Sequence, residues 1–114
     1  MTCPKEEIEE YAAVALKLYL NTPETPSKIS SNDRQIALGL HARGIPLTIV
    51  ESAFLLASVR RLGRLPDMPP LSPIRSLAYF LPVVEELLVN PISDGYLDHL
   101  RRKVQLLSKK RIVA

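Results

Sequence analysis

The sequence predicts an all-α fold, a compact bundle of about five helices in which the fourth is kinked or split at Pro82. Three observations carry that expectation. Apolar residues recur at helical spacing in each long segment and nowhere alternate with the period of two that a half-buried strand requires. Ten prolines and four glycines fall mostly between those segments and divide the chain into about five intervals. The composition, 46% hydrophobic and 24% charged over 114 residues, is that of an ordinary globular chain, with length for one modest core. Residues 1–114 are therefore read as a single helical domain.

The first helix is expected from Pro4 to Leu20. Proline suits a first turn, and Glu6, Glu7, Glu9 and Glu10 sit near the positive end of the helix dipole. Ile8, Tyr11, Ala12, Ala15, Leu18 and Tyr19 follow the i, i+3, i+4 rule and form its buried stripe. Pro23 and Pro26 interrupt the connector that follows. A second helix begins after Ser31 or Asn32, runs through Ile36, Ala37 and Leu40 to Ala42, and ends at Gly44. Pro46 then opens a third, Leu47 to Leu62, apolar almost all round and for that reason expected at the centre.

Pro66, Pro69, Pro70 and Pro73 make the next stretch a stiff, partly extended connection. From Ile74 to Asn90 helical spacing returns in Ile74, Leu77, Ala78, Leu81, Val84 and Leu88. Pro82 has no amide hydrogen and would leave the Ala78 carbonyl unpaired, which predicts a kink near Leu81 or two short helices. The last helix is expected from Ser93 or Asp94 to Lys110, burying Leu97, Leu100, Val104 and Leu107.

Several function classes are disfavoured by what the residues are. Cys3 is the single cysteine, so no intrachain disulfide forms. The acidic, polar start is not a secretory signal, and no apolar run approaches the 18 or so residues that span a bilayer, so a cytoplasmic location without membrane contact is expected. His41 and His99 lack the HxxxH spacing, and a metal or acid/base role for Asp94, Asp98 and His99 would need a third partner from elsewhere in the fold. Glu85 and Glu86 are adjacent and so diverge by about 100° on a helix, poor geometry for sharing a proton. Neither phosphate-binding glycine motif occurs. No catalytic residue, metal ligand or cofactor is expected, and the chain is read as non-enzymatic.

The charge is more informative. The formal net charge is only +3, but residues 1–33 carry a net −3 and the remainder +6. The last sixteen residues hold Arg101, Arg102, Lys103, Lys109, Lys110 and Arg111 without one acid. Arg102 and Lys109, and likewise Lys103 and Lys110, are seven residues apart and so share a helix face. A local excess of this kind binds phosphates even where the whole chain is nearly balanced. Arg60, Arg61 and Arg64 at the end of the third helix, with Arg75 at the start of the fourth, make a second group; arginine contacts phosphate bidentately. The nucleic-acid-binding set is thus Arg60, Arg61, Arg64, Arg75, Arg101, Arg102, Lys103, Lys109 and Lys110. Phe54, Phe80 and four tyrosines lie mostly on apolar stripes, which favours contact with a duplex backbone over stacking on single strands.

The second and third helices, joined through Gly44, also have the outline of a helix-turn-helix. A recognition helix needs polar side chains on its outer face, and this one offers Thr48, Glu51, Ser52 and Ser58 before Arg60. An αα-hairpin within the core is the better expectation.

Gly44-Ile45-Pro46-Leu47-Thr48-Ile49-Val50-Glu51-Ser52-Ala53, then a proline-bearing connector and Ile74-Arg75-Ser76-Leu77-Ala78-Tyr79, resembles the helical module of DnaD-like replication proteins and of plasmid or phage replication initiators. The shared pattern is a glycine-led helix of the form G-x-x-x-x-x-V-x-x-A and a second helix opened by I-x-S-x-x-Y, over about Asp33 to Leu88. Ile74 to Glu86 also resembles a block in small proteins carried by bacterial mobile elements. The resemblance implies an accessory role on DNA in replication or recombination, without the winged-helix domain such initiators usually have. The function expected is therefore backbone binding to DNA, most simply double-stranded. The alternative is a helical protein-protein interaction module or homodimer that binds no nucleic acid.

Overall fold

The computed structural model describes residues 4–64, 67–69 and 71–113, with the side chains of residues 4, 5 and 109–113 outside the described ones. Prolines 66 and 70 of the expected stiff connector also lie outside them. Five α-helices follow in order: α1 Pro4–Leu20, α2 Ser31–Ala42, α3 Leu47–Leu62, α4 Leu81–Val89 and α5 Asp94–Val113, with a 3-10 turn over Leu77–Phe80 leading into α4. Among the described residues there is no strand. The all-α bundle is as the periodicity predicts.

α3 is the hub. It packs against α1, α4, α5 and the 3-10 turn, while α1 pairs with α2 on the far side. Its sequence explains this, because Val50, Ala53, Phe54 and Ala57 are buried and the smaller residues let neighbouring helices approach closely. The rings of Tyr19, Phe54 and Phe80 meet at the centre, with Phe54 and Phe80 4.8 Å apart and Tyr19 edge-on to both.

α1 keeps its expected bounds, and its inward stripe is Ala12, Ala15, Leu16 and Tyr19, with Ile8, Tyr11 and Leu18 half-buried. α2 starts one residue earlier than expected, because Ser30 is its cap. The Ser30 hydroxyl accepts from the Asp33 amide at 3.1 Å, and the Asp33 carboxylate accepts from the Ser30 amide at 3.0 Å, a reciprocal capping box. The other end closes on Gly44 at φ 71°, with Gly44 N–H donating to His41 O and Ile45 N–H donating to Leu40 O. These are the two bonds of a Schellman cap, and Ile45 and Leu40 are both buried beside it. The chain then turns so that α2 runs along α1 instead of back along α3, which corrects the expectation of an αα-hairpin.

The fourth helix is split just ahead of Pro82 into a 3-10 turn and α4, the second of the two expected outcomes, and no carbonyl is left stranded. The Leu81 amide donates to Ala78 O in a 3-10 bond, so that carbonyl is satisfied before the proline occupies the first turn of α4. Three residues per turn over Leu77–Phe80 also shift the phase of the stripe. Ile74, Leu77, Phe80, Val84 and Leu87 are buried, whereas Ala78 and Leu88, expected inside, are exposed.

The Tyr19 hydroxyl is buried with no hydrogen-bond partner among the described residues. Burial first, and the nearby Asp33 charge second, push its pKa up to about 12 from 10.0. Below pH 10 folded and unfolded chains both keep this proton; from pH 10 to about 12 only the unfolded chain releases it, so stability falls over that window. Two pKa units correspond to about 2 to 3 kcal/mol. Tyr19→Phe is expected to flatten that segment of the stability-pH curve and to be neutral or slightly stabilising at pH 7, measured by urea denaturation. Parallel curves for the two proteins above pH 10 would contradict the assignment.

Candidate nucleic-acid interface

The basic side chains fall into two groups according to what they touch. Arg60, on α3, makes a two-bond fork with the Glu86 carboxylate of α4 at 2.8 and 2.5 Å. Arg101, on α5, forks onto Glu51 of α3 at 3.0 and 2.7 Å and also reaches Asp98 at 2.7 Å. Arg43, the residue that caps the end of α2, reaches Glu85 of α4 at 2.6 Å. Each partner shifts as its charge demands: the arginine hydrogen bonds hold Glu85 and Glu86 below the usual carboxylate range, and Arg43, Arg60 and Arg101 are pushed above theirs. Glu85 and Glu86 thus diverge to two different helices, as their adjacency predicts.

Arg61 is not on an open basic surface at all. Its side chain is 7% exposed, with Nη2 donating to Ser72 O at 2.9 Å and Nη1 3.5 Å from the Tyr79 hydroxyl. Nε lies 3.4 Å from the Glu24 carboxylate, and the guanidinium sits 5.5 Å from the Tyr79 ring centre. Arg61 therefore ties together the α1–α2 connector, the proline-rich connector and the 3-10 turn. The expected Arg60, Arg61 and Arg64 patch is reduced accordingly: one member is buried, one is neutralised, and Arg64, half-buried, stands without an acidic partner among the described residues. Arg75 is exposed in the extended segment before the 3-10 turn.

α5 is different. It packs on α3 through Leu97, Leu100 and Val104, and turns Tyr96, His99, Arg102, Lys103 and Leu106 outward. Arg102 and Lys103 are exposed and have no acidic partner among the described residues. The Lys109 and Lys110 side chains lie outside the described ones; the helix backbone continues through both, so they keep the seven-residue spacing. α3 and α5 run antiparallel, with Arg60 near Tyr96 and Glu51 paired to Arg101. Because α3 begins at Leu47 and α5 continues to Val113, the last turns of α5 project beyond α3, in keeping with a long axis of 52 Å against 31 and 23 Å.

α3 cannot serve as a recognition helix. Helices pack on it from several sides and its middle polar residues, Ser52 and Ser58, are buried with their hydroxyls donating to Thr48 O and Phe54 O. The described residues hold no group of three or more His, Cys, Asp or Glu placed for a metal ion, and no helix long and apolar enough to cross a membrane. No family model, curated protein or solved structure matches the chain.

Proposed function

We propose that the chain binds DNA through its phosphate backbone, with the outer face of α5 as the contact surface, in an accessory and non-catalytic role in replication or recombination of a mobile element. The observation that carries this reading is the pair Arg102 and Lys103, exposed and without acidic partners, on a helix that uses only its opposite face to join the fold. Lys109 and Lys110 extend the same two rows by sequence spacing. Arg60 and Arg101 add little, since the acid that pairs each of them stays beside any phosphate that displaces it. Arg64 and Arg75 are secondary contacts at most.

The test is fluorescence anisotropy of a labelled 30-base-pair duplex at several salt concentrations. Four phosphate contacts give a slope of log K on log salt of about −3.6, and Arg102→Gln with Lys103→Gln is expected to reduce its magnitude by about 1.8. No binding at low salt would reject the reading. A second reading, a protein interaction module or homodimer, is favoured by one observation: Val89 is 79% exposed at the end of α4, beside exposed Leu88. A solution mass that rises with protein concentration, together with no duplex binding, would select it.

A further inference from the structure

The two aromatic rings at the start of the α5 outer face are not accounted for by phosphate contact. Tyr96 is 45% exposed, and its ring lies 5.8 Å from that of His99, tilted by 34°. Both are held in place: Ser93 Oγ accepts from the Tyr96 amide at the first turn, and the buried Leu97 and Leu100 beside them fix the rotation of the helix on α3. Lys103 follows Tyr96 by seven positions and His99 by four, so rings and cation form one ridge, with Arg102 beside it and Leu106, 61% exposed, one turn on. A duplex presents a phosphate backbone to such a ridge but keeps its base faces stacked inside. An unpaired strand offers both.

We propose that the outer face of α5 is a site for an unpaired nucleic-acid strand, whose bases stack on Tyr96 and His99 while Arg102 and Lys103 hold its phosphates. This rests on the phosphate-binding reading of the same helix and adds to it the class of strand. Stacking on exposed rings is tolerant of base identity, because each base has a π face, so the site is expected to discriminate strandedness more than sequence. Charge alone gives no such preference, since a duplex carries the denser array of phosphates.

The experiment compares a labelled 20-nucleotide oligo-dT with a 20-base-pair duplex, using the full chain and Tyr96→Ala, Tyr96→Phe and Arg102→Gln/Lys103→Gln, each checked for helix content by circular dichroism. The wild-type chain is expected to bind oligo-dT more tightly than the duplex. Tyr96→Ala is expected to weaken oligo-dT binding by about 5-fold to 150-fold, the range for one stacked base, with duplex affinity unchanged. Tyr96→Phe keeps the affinity. The chain has four tyrosines and no tryptophan, so quenching of tyrosine emission by oligo-dT should appear in the wild type and be lost in Tyr96→Phe. The double variant lowers affinity for both ligands and cuts the oligo-dT salt slope by about 1.4. Duplex binding equal to or tighter than oligo-dT, or a Tyr96→Ala variant unchanged on oligo-dT, overturns the strand assignment while leaving phosphate binding intact. Failure of both ligands to bind at low salt overturns the two readings together.

Discussion

Arg61→Ala is expected to lower the stability of the fold by about 3 kcal/mol, a fall in melting temperature of roughly 10 to 20 °C for a domain of this size. The magnitude follows from what is left behind. Truncation leaves the Ser72 carbonyl without its donor, the Glu24 carboxylate without its cation and the Tyr79 ring without the guanidinium over it. Glu24 itself stands at φ 65°, a left-handed conformation that a non-glycine residue holds only where surrounding contacts fix it, and Arg61 is one of those contacts. Arg61→Lys keeps the charge but not the fork, and should recover only part of the loss. Arg61→Met keeps the stem packing and lets the partly exposed Glu24 return to water, so it should fall between alanine and lysine. Thermal melts followed by far-ultraviolet circular dichroism decide the matter: an alanine variant within about 0.5 kcal/mol of the parent would mean that the three segments are held by something else.

The same residue shows where sequence reading reaches its limit. Arg60, Arg61 and Arg64 are equivalent as a string of cations after an apolar helix, and nothing local distinguishes the one that turns inward. Arg61 is buried because Ser72 and Tyr79, eleven and eighteen residues later, and Glu24, far earlier, converge on it. The neutralisation of Arg60 by Glu86 and of Arg101 by Glu51 is likewise a tertiary outcome. By contrast, the outward placement of Arg102 and Lys103 is local: the apolar set Leu97, Leu100 and Val104 is visible in the chain and leaves both off the buried stripe, and the structure keeps both exposed. Helix bounds were legible for the same reason, with α1 and α3 at their expected ends. The expected α4 stripe departs from the buried one at Ala78 and Leu88, because a 3.6-residue period does not hold through a segment that turns with three residues. Tyr96 and His99 carried no signal beyond their four-residue window, since one exposed tyrosine on a helix is ordinary until its neighbours are known.

A triple charge reversal of Arg60, Arg61 and Arg64, the natural test of the basic patch as a sequence presents it, would therefore mix two effects. Reversing Arg61 places a carboxylate against Glu24 and Ser72 O inside the fold, so loss of binding would report unfolding. Arg102 and Lys103 are the sites where binding and stability separate.

Asp33→Ala is expected to cost about 4 kcal/mol. Asp33 is 1% exposed, an unusual place for a carboxylate, and both oxygens are used. Oδ2 accepts from the Ser30 amide at 3.0 Å and closes the capping box of α2, while Oδ1 accepts from the Leu77 amide at 2.9 Å, 44 residues away. The second bond fastens the start of the 3-10 turn to the start of α2, and Leu77 and Phe80 follow it into the core. Each is a charge-assisted bond worth about 1.5 to 3 kcal/mol, and removal of the acceptor leaves two amides, one of them fully buried, with no partner. Asp33→Asn retains one acceptor oxygen but turns an NH2 toward an amide donor, so about half of the loss should remain. Ser30→Ala removes only the other half of the box and should cost about 1 kcal/mol. Urea denaturation gives the totals, and amide hydrogen exchange separates the two bonds. In Asp33→Ala the Leu77 amide should lose protection beyond what the global destabilisation explains, whereas in Ser30→Ala it should not. A protected Leu77 amide in the alanine variant would show that the 3-10 turn is anchored by its apolar side chains alone.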